Sequence, residues 1–380
     1  MRIEHGVHGG RRIVAERNGR RIVSMGPHRG YAQRPYYSHG GRTYVQRTYY
    51  VGGRRYAYAY RTRYYGGRPY YRYAPAYYYH PVYYGWAYNP WPAPVYYSWP
   101  YYRDPWYGYY GYYYAPYPVY PTASLWLTDY LIAESLRAAY DAQQAGALRV
   151  PDVTPYLSSE DFSASLWITD PLAASLSGTH LEGLAAMPAA ASGQTLTPAV
   201  KQAIAEEVKS QIGDEKTAAE NSQQTDSGGD DAPPAALDPN HRTFVVASNV
   251  DTSTDAGDDC SLSAGDVIYR TGDTPDDDNN VEATVKSSKK DDCAIGSKIS
   301  VDADDLQEMH NHLRETLDAG LKTLAEKQGK DGLPAAPDTA TQAGEVPAPT
   351  ADTNVDSDLQ QTQKDADQTE ADVNSSSAQQ

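Results

Sequence analysis

The sequence has almost no phenylalanine: of its 380 residues only Phe162 and Phe244 are Phe, whereas 36 are Tyr. Thirty-two of the tyrosines lie between Tyr31 and Tyr120. Because Phe and Tyr carry similar apolar rings, this bias selects for the phenol hydroxyl, which can hydrogen-bond while the ring is buried. Tyrosine at this density favours surfaces at which the rings are buried and the hydroxyls still reach solvent or another polar group.

Lysine is absent from residues 1–120, which carry 17 arginines against Glu4, Glu16 and Asp104, a net charge of +14. Residues 121–380 carry a net charge of −30. Arginine stacks on aromatic rings and binds carboxylates and phosphates through two N–H groups at once, whereas lysine acts as a hydrated point charge. The two oppositely charged halves favour head-to-tail self-association, or attraction of the N-terminal half to anionic polymers, and salt weakens both.

Long apolar runs and catalytic motifs are also missing. No run approaches the roughly 20 apolar residues of a membrane span, and residues 1–30 lack the apolar segment of a signal peptide. His310 and His312 are two apart on a predicted helix and point to different sides, and the acidic run at 276–280 lacks the glycine and glutamate of a calcium loop. We therefore predict a non-enzymatic protein with no cofactor, no metal site and no transmembrane span.

The chain has only two cysteines, Cys260 and Cys293, and each follows a pair of aspartates. A disulfide between them would close a loop of about 30 residues and stabilise the fold by roughly 3 to 4 kcal/mol. We predict this disulfide, which favours an oxidising compartment. The alternative is two unpaired buried thiols, since a zinc site would need more ligands than the neighbourhood offers.

The residue pattern predicts a mainly β protein with helices. Residues 1–73 contain the near repeat Arg-Arg-Ile-Val at 11–14 and 20–23 around Asn18-Gly19, a strong hairpin signal. Gly-Gly pairs at 40–41, 52–53 and 66–67 bound further alternating segments. These residues are predicted to form an Arg/Tyr-rich antiparallel β meander.

Within the meander, Tyr56, Tyr58 and Tyr60 fall on one strand face, and Arg55 and Arg61 fall on the other. The tyrosine ladder fits the core face of a thin sheet, because cross-strand aromatic pairs stabilise hairpins. The alternative is a platform for sugars or bases. We carry these five residues forward as a candidate ligand or assembly surface.

Residues 74–121 are rich in Tyr, Pro and Trp and are predicted to be irregular, because prolines at this density prevent long regular elements. The segment is expected either to pack against the meander or to be flexible. Trp86, Trp91 and Trp106 join the candidate surface.

Residues 122–196 contain the motif Ser-Leu-Trp twice, at 124–126 and 165–167. Thr128 is predicted to cap the helix after the first copy, and a shorter helix follows the second copy. Trp126 and Trp167 are interpreted as packing anchors, with ligand binding as the alternative. Residues 197–240 follow as an amphipathic helix that begins at Thr197-Pro198, and then a linker.

Residues 241–328 are predicted to form a small SH3-like barrel followed by a helix. Strands are expected at 243–248, 266–270, 281–287 and 298–301, and the helix at 302–328. The barrel lacks the aromatic residues that line a proline-peptide groove. Residues 329–380 are predicted to be a disordered acidic tail.

Four peptides in this order resemble an uncharacterised family of bacterial Tyr-rich secreted proteins with a small C-terminal β domain. They are GPHRGY at 26–31, YGWAYNPW at 84–91, SLWLTDYL at 124–131 and DLQEMHN at 305–311. Members of that family carry an upstream signal peptide, so the resemblance implies a secreted or cell-envelope protein in which Met1 is an internal start. It implies no activity. The second Ser-Leu-Trp copy departs from the family pattern.

The function expected from the sequence is structural or binding. Tyrosine rings would stack on polysaccharide or on a second copy of the chain, and the arginines would engage anionic groups. The alternative is nucleic-acid binding, because a basic aromatic segment can follow a phosphate backbone and stack on bases. A weaker alternative is oxidative cross-linking through dityrosine.

Overall fold

The computed structural model is mixed α/β and describes residues 1–6, 11–26, 29–147, 196–221, 233–289 and 292–377. The second Ser-Leu-Trp copy, with Trp167, and most of the predicted linker lie outside these residues.

The N-terminal residues form a seven-stranded antiparallel sheet whose strands follow chain order. The strands are β1 (Arg2–His5), β2 (Arg11–Arg17), β3 (Arg20–Ser24), β4 (Arg29–His39), β5 (Arg42–Val51), β6 (Arg54–Tyr65) and β7 (Arg68–Ala74). Asn18 and Gly19 join β2 to β3 with φ of 52° and 70°, the left-handed values that a type I′ turn requires. The Gly-Gly pairs turn the connections from β4 to β5, from β5 to β6 and from β6 to β7, again with positive φ. The predicted hairpin and meander are confirmed.

Residues 74–121, predicted to be irregular, instead contain short regular elements. These are β8 (Tyr77–Tyr79), α1 (Pro81–Tyr88), β9 (Pro90–Tyr96), a 3-10 turn (Pro100–Arg103), α2 (Pro105–Tyr110) and β10 (Val119–Thr122). Pro81 and Pro105 stand at the first position of α1 and α2, where a missing N–H costs nothing. The three prolines of β9 lie in a strand that pairs with β10 alone. Proline therefore occurs at the first position of these helices and in a strand with a single partner, where it does not prevent regular structure.

Three longer helices pack around the aromatic segment: α3 (Ala123–Ala147), α4 (Pro198–Asn221) and α5 (Ala303–Lys327). The prediction that Thr128 caps α3 is wrong, because the helix already begins at Ala123, where Thr122 Oγ1 accepts a hydrogen bond from Leu125 N–H at 3.3 Å. The start of α4 is confirmed, since Thr197 Oγ1 accepts from Val200 N–H at 3.3 Å.

A second antiparallel sheet has the strand order β11-β14-β15-β16-β12-β13. Its strands are β11 (Thr243–Val245), β12 (Val250–Thr254), β13 (Asp259–Leu262), β14 (Val267–Arg270), β15 (Asn280–Ser287) and β16 (Lys298–Asp302). The sequence missed β12 and β13, which are short and rich in Asp and Ser. The predicted disulfide is present between Cys260 and Cys293, whose Cα atoms are 5.1 Å apart.

Helix α5 connects the two sheets. Leu306 and Met309 complete the core of the six-stranded sheet. On the next turn, Asn311 Nδ2 donates to Tyr71 O at 2.7 Å, and its Oδ1 accepts from Tyr73 N–H at 2.9 Å. These bonds pair two backbone groups, Tyr71 O and Tyr73 N–H, at the free edge of β7.

The acidic tail, predicted to be disordered, folds onto the N-terminal half of the chain. Strand β17 (Thr341–Ala343) pairs with β8, and α6 (Val355–Ser377) lies across the face of β2 to β5. Val355 and Leu359 are fully buried there against Ile22 and Ala32. Composition alone missed this helix because its few apolar residues stabilise it only against a partner surface.

Candidate binding cleft and buried ion pairs

The tyrosine ladder of β6 runs from an exposed end to a buried end. Tyr56 is 39% exposed and Tyr60 is fully buried. The Tyr60 hydroxyl donates to the Glu315 carboxylate of α5, and burial together with that carboxylate raises the pKa of Tyr60 well above its usual range. On the opposite face Arg55 is exposed and Arg61 is buried. The ladder is therefore a packing face for most of its length and a surface only at the β5–β6 turn.

Arginine–tyrosine stacking, expected from composition, occurs inside the molecule. The Arg47 guanidinium is buried on β5 and lies 4.9 Å from the ring centre of Tyr31 and 4.4 Å from that of Tyr60. It pairs with the Glu308 carboxylate and donates from Nε to Gln33 Oε1 at 2.8 Å. Such pairing uses the planar guanidinium in a way that lysine could not reproduce.

The tryptophans are not all available to a ligand. Trp106 is buried on α2, and Trp126 is buried in α3 with its ring centre 4.7 Å from that of Trp99. Trp91 exposes only 6% of its surface, whereas Trp86 is half-buried. The candidate surface named from the sequence therefore separates into several places.

Two of these residues do come together, in a cleft of about 530 Å³ between α1, β9 and the end of α4. The ring centres of Trp86 and Trp91 are 5.7 Å apart, and the Tyr83 ring stacks behind Trp86 at 5.5 Å. The cleft is also lined by prolines and by Val82, Gly85, Asn89, Lys216 and Glu220.

Local sequence explains why the cleft stays open. Gly85 lies in the middle of α1, and a Cβ atom at this position would meet nothing within 4 Å. At the end of the helix, Asn89 Nδ2 donates to Gly85 O at 2.7 Å, which holds the turn before β9. A larger residue at position 85 would project into the cleft without disturbing the core.

The cleft combines aromatic surface with few polar groups. Lys216 Nζ pairs with Glu220 Oε1 at 2.6 Å, so this charge is balanced within the lining. Aromatic walls with a small number of polar side chains suit a flat ligand that has one apolar face and hydroxyls at its edge.

A buried ion pair that sequence reasoning missed joins α3 to α4. Lys201 Nζ lies 2.5 Å from Asp129 Oδ1, and both side chains are almost fully buried. Asp129 Oδ2 accepts from Tyr117 N–H and from the Tyr120 hydroxyl, each at 2.6 Å. Burial raises the pKa of Asp129 and lowers that of Lys201, so dehydration moves both groups towards their neutral forms.

A second buried pair, also missed, lies where β14 begins and β15 ends. Lys289 Nζ is 2.6 Å from Asp266 Oδ1, and Ser263 and Asp292 complete a polar cluster. Sequence alone gave little sign of it, because lysine and aspartate are normally exposed.

Elsewhere, His241 lies between Glu207 and Asp214, at 2.8 and 3.1 Å. Burial opposes its protonation, but these two carboxylates raise the pKa of His241 to about 9. His310 lies nearby, with its ring 5.3 Å from that of His241, and burial lowers its pKa. Among the described residues, no three His, Cys, Asp or Glu side chains are placed to hold a metal ion.

Comparison with models of known protein families, with curated proteins and with solved structures finds no match to this chain. The resemblance to Tyr-rich secreted proteins therefore stays a prediction. In the part of the chain that the structure describes, every helix is too short or too polar to cross a membrane.

Proposed function

We propose that this is a non-enzymatic secreted or cell-envelope protein that binds polysaccharide at the Trp86–Trp91 cleft. The main support for this proposal is the cleft lined by Trp86 and Trp91. Sugar rings present an apolar C–H face to aromatic side chains and hydroxyls to polar neighbours, and the cleft offers both kinds of group. The disulfide agrees with an oxidising compartment.

Anionic groups on the polysaccharide would meet exposed arginines. Several arginines of the first sheet already pair with the tail: Arg11 with Asp367 at 2.6 Å and Arg20 with Asp358 at 2.9 Å. Arg54 and Arg55 at the β5–β6 turn are exposed, and we assign them the attraction of acidic chains. We also propose that the six-stranded sheet is an SH3-like scaffold without a peptide groove.

Glycan binding of the full chain tests the proposal. Gly85→Leu should fill the cleft and abolish retention on immobilised polysaccharide, and Trp86→Ala should weaken it at least tenfold. Tyr102→Ala is the matched control, because Tyr102 is a 66% exposed aromatic residue outside the cleft lining. Undiminished retention of both cleft variants would reject the cleft as the binding site.

The same samples separate the rival functions. Binding to single-stranded nucleic acid that falls steeply with salt, and that Gly85→Leu leaves unchanged, would favour the nucleic-acid alternative. Concentration-dependent oligomers without glycan binding would favour self-assembly. Covalent multimers that resist reductant would favour dityrosine cross-linking.

A further inference from the structure

Asp266 and Lys289 meet because of the strand pairing around them. Asp266 directly precedes β14 and Lys289 follows β15, and these two strands are antiparallel neighbours. The backbone N–H of Lys289 donates to Asp266 Oδ1 at 3.1 Å, and Nζ lies 2.6 Å from the same oxygen. The two side chains expose 0% and 4% of their surface.

The pair is enclosed by aromatic rings. Lys289 Nζ lies 5.1 Å from the ring centre of Tyr113 and 5.9 Å from that of Tyr110. The Tyr113 hydroxyl donates to Gly265 O at 2.8 Å, which fixes this ring beside the pair. In such surroundings two full charges are costly to maintain, whereas a hydrogen-bonded amide in their place would be neutral.

A route for a proton leads away from the lysine. Lys289 Nζ donates to Ser263 Oγ at 3.0 Å, and that hydroxyl donates to Asp292 Oδ2 at 2.6 Å. Burial and the nearby Asp266 carboxylate raise the pKa of Asp292 to about 7. A carboxyl group that titrates near neutral pH can both accept and return a proton.

A donor is also placed where negative charge would develop. Ser263 N–H donates to Asp266 Oδ2 at 2.7 Å. If nitrogen attacked the carboxyl carbon, this N–H would stabilise the resulting oxyanion, as a preorganised backbone donor does in acyl transfer.

From this geometry we propose that Lys289 and Asp266 form an intramolecular isopeptide bond, with Ser263 and Asp292 moving the proton. Lys289 Nζ gives one proton through Ser263 Oγ to Asp292 and attacks Asp266 Cγ. The tetrahedral intermediate then loses Oδ1, which takes that proton back from Asp292 and a second proton from the nitrogen, and leaves as water. The products are one amide and one water, and no oxidant or cofactor is required.

The Lys201–Asp129 pair is the internal control. It is equally buried and its two atoms are equally close, at 2.5 Å. Among the described residues, however, no second carboxyl or serine hydroxyl contacts it, and Asp129 is instead held by Tyr117 and Tyr120. We expect this pair to remain an ion pair.

Intact mass of the folded full chain, followed by peptide mapping, tests the proposal. Loss of water makes the cross-linked protein about 18 Da lighter than the disulfide-bonded chain. After reduction and digestion, the peptides that contain Asp266 and Lys289 should elute as one branched species. An unchanged mass with separate peptides, or a branch at Lys201 and Asp129 instead, would overturn the proposal.

Two variants that keep both Lys289 and Asp266 test the role of Asp292 in forming the bond. Asp292→Asn keeps both reacting side chains but should prevent the bond, so that its mass shows no loss of water. Lys201→Met should show the same loss of water as the wild-type chain. Bond formation after refolding should also be fastest near neutral pH and slower on either side, a profile that a purely structural Asp292 would not produce. A cross-link that forms in Asp292→Asn at the wild-type rate would remove Asp292 from the mechanism.

Discussion

The two buried Lys–Asp pairs look alike when only the pair is considered. Their N–O distances are 2.5 Å at Lys201–Asp129 and 2.6 Å at Lys289–Asp266, and all four side chains are nearly inaccessible to solvent. They differ in what surrounds the carboxylate. Asp129 is held by donors that stabilise its charge, whereas Asp266 has a second carboxyl and a hydroxyl beside it. The neighbours decide whether a buried pair fastens the fold or has the means to react.

The largest effect should come from removing the anion of the first pair. Asp129→Ala leaves Lys201 buried without a counter-ion and leaves Tyr117 N–H without an acceptor, so we expect a loss of about 3 to 5 kcal/mol in the free energy of unfolding. Urea unfolding followed by tryptophan fluorescence measures it. Glu134→Ala on the same helix is the control, because Glu134 forms a partly exposed pair with Arg137 and should cost under about 1 kcal/mol. Equal losses in both variants would mean that the buried pair of Asp129 contributes no more to stability than the partly exposed pair of Glu134.

Removing the cation should make the free energy of unfolding depend more strongly on pH. The folded-state pKa of Asp129 is already above its unfolded value, so protonation favours the folded state, and its contribution is lost as pH rises through the folded pKa. Without Lys201 that pKa rises further. Lys201→Met should therefore lose about 2 kcal/mol more than wild type between pH 5 and pH 8. Parallel unfolding curves at the two pH values provide the measurement, and a flat profile would contradict it.

At the second pair the titrating group is Asp292. The pKa of Asp292 in the folded state is about 7, above its unfolded value. In the chain without the isopeptide bond, the contribution of Asp292 to the free energy of unfolding should therefore be largest near pH 4 and decline as pH approaches 7. Because Asp292 is only partly buried, we expect a decline of about 1 to 2 kcal/mol. Asp292→Asn should abolish this decline, and urea midpoints across the range report it. A decline that persists in the variant would assign it to another group.

The smallest stability effect belongs to Ser263→Ala. The backbone N–H that binds Asp266 Oδ2 remains, and only a hydroxyl is lost, so we expect less than about 1.5 kcal/mol. Formation of the isopeptide bond should nevertheless slow at least tenfold, because the proton route passes through that hydroxyl. Mass measured at intervals after refolding separates the two effects. An unchanged rate would place the proton route elsewhere.

Local patterns were sufficient to predict the first sheet. Asn18-Gly19 and the Gly-Gly pairs determine their own turns, and alternation along β6 indicates which side chains share a face. The disulfide could also be predicted, because two cysteines permit one intramolecular pairing. The start of α4 could be predicted from Thr197-Pro198, because a helix cap depends on residues only a few positions apart.

The buried pairs and the tail could not be predicted in this way. Asp129 and Lys201 are 72 positions apart, and nothing near either residue shows that the other will neutralise it. Helix α6 has few apolar residues and gains its stability from the arginines and apolar groups of a sheet that lies more than 300 residues earlier. Of the candidate surface, Trp86 and Trp91 line the cleft described above, because α1 and β9 bring them together.

The docking of α6 on the first sheet has a consequence for the order of events during synthesis. A ribosome makes the arginine strands before their acidic partners in α6, at about 5 to 20 residues per second. For that interval Arg11 and Arg20 lack the carboxylates that they hold in the finished protein. The first sheet is therefore made well before the acidic helix that neutralises these arginines, and it is completed only when α6 has been made.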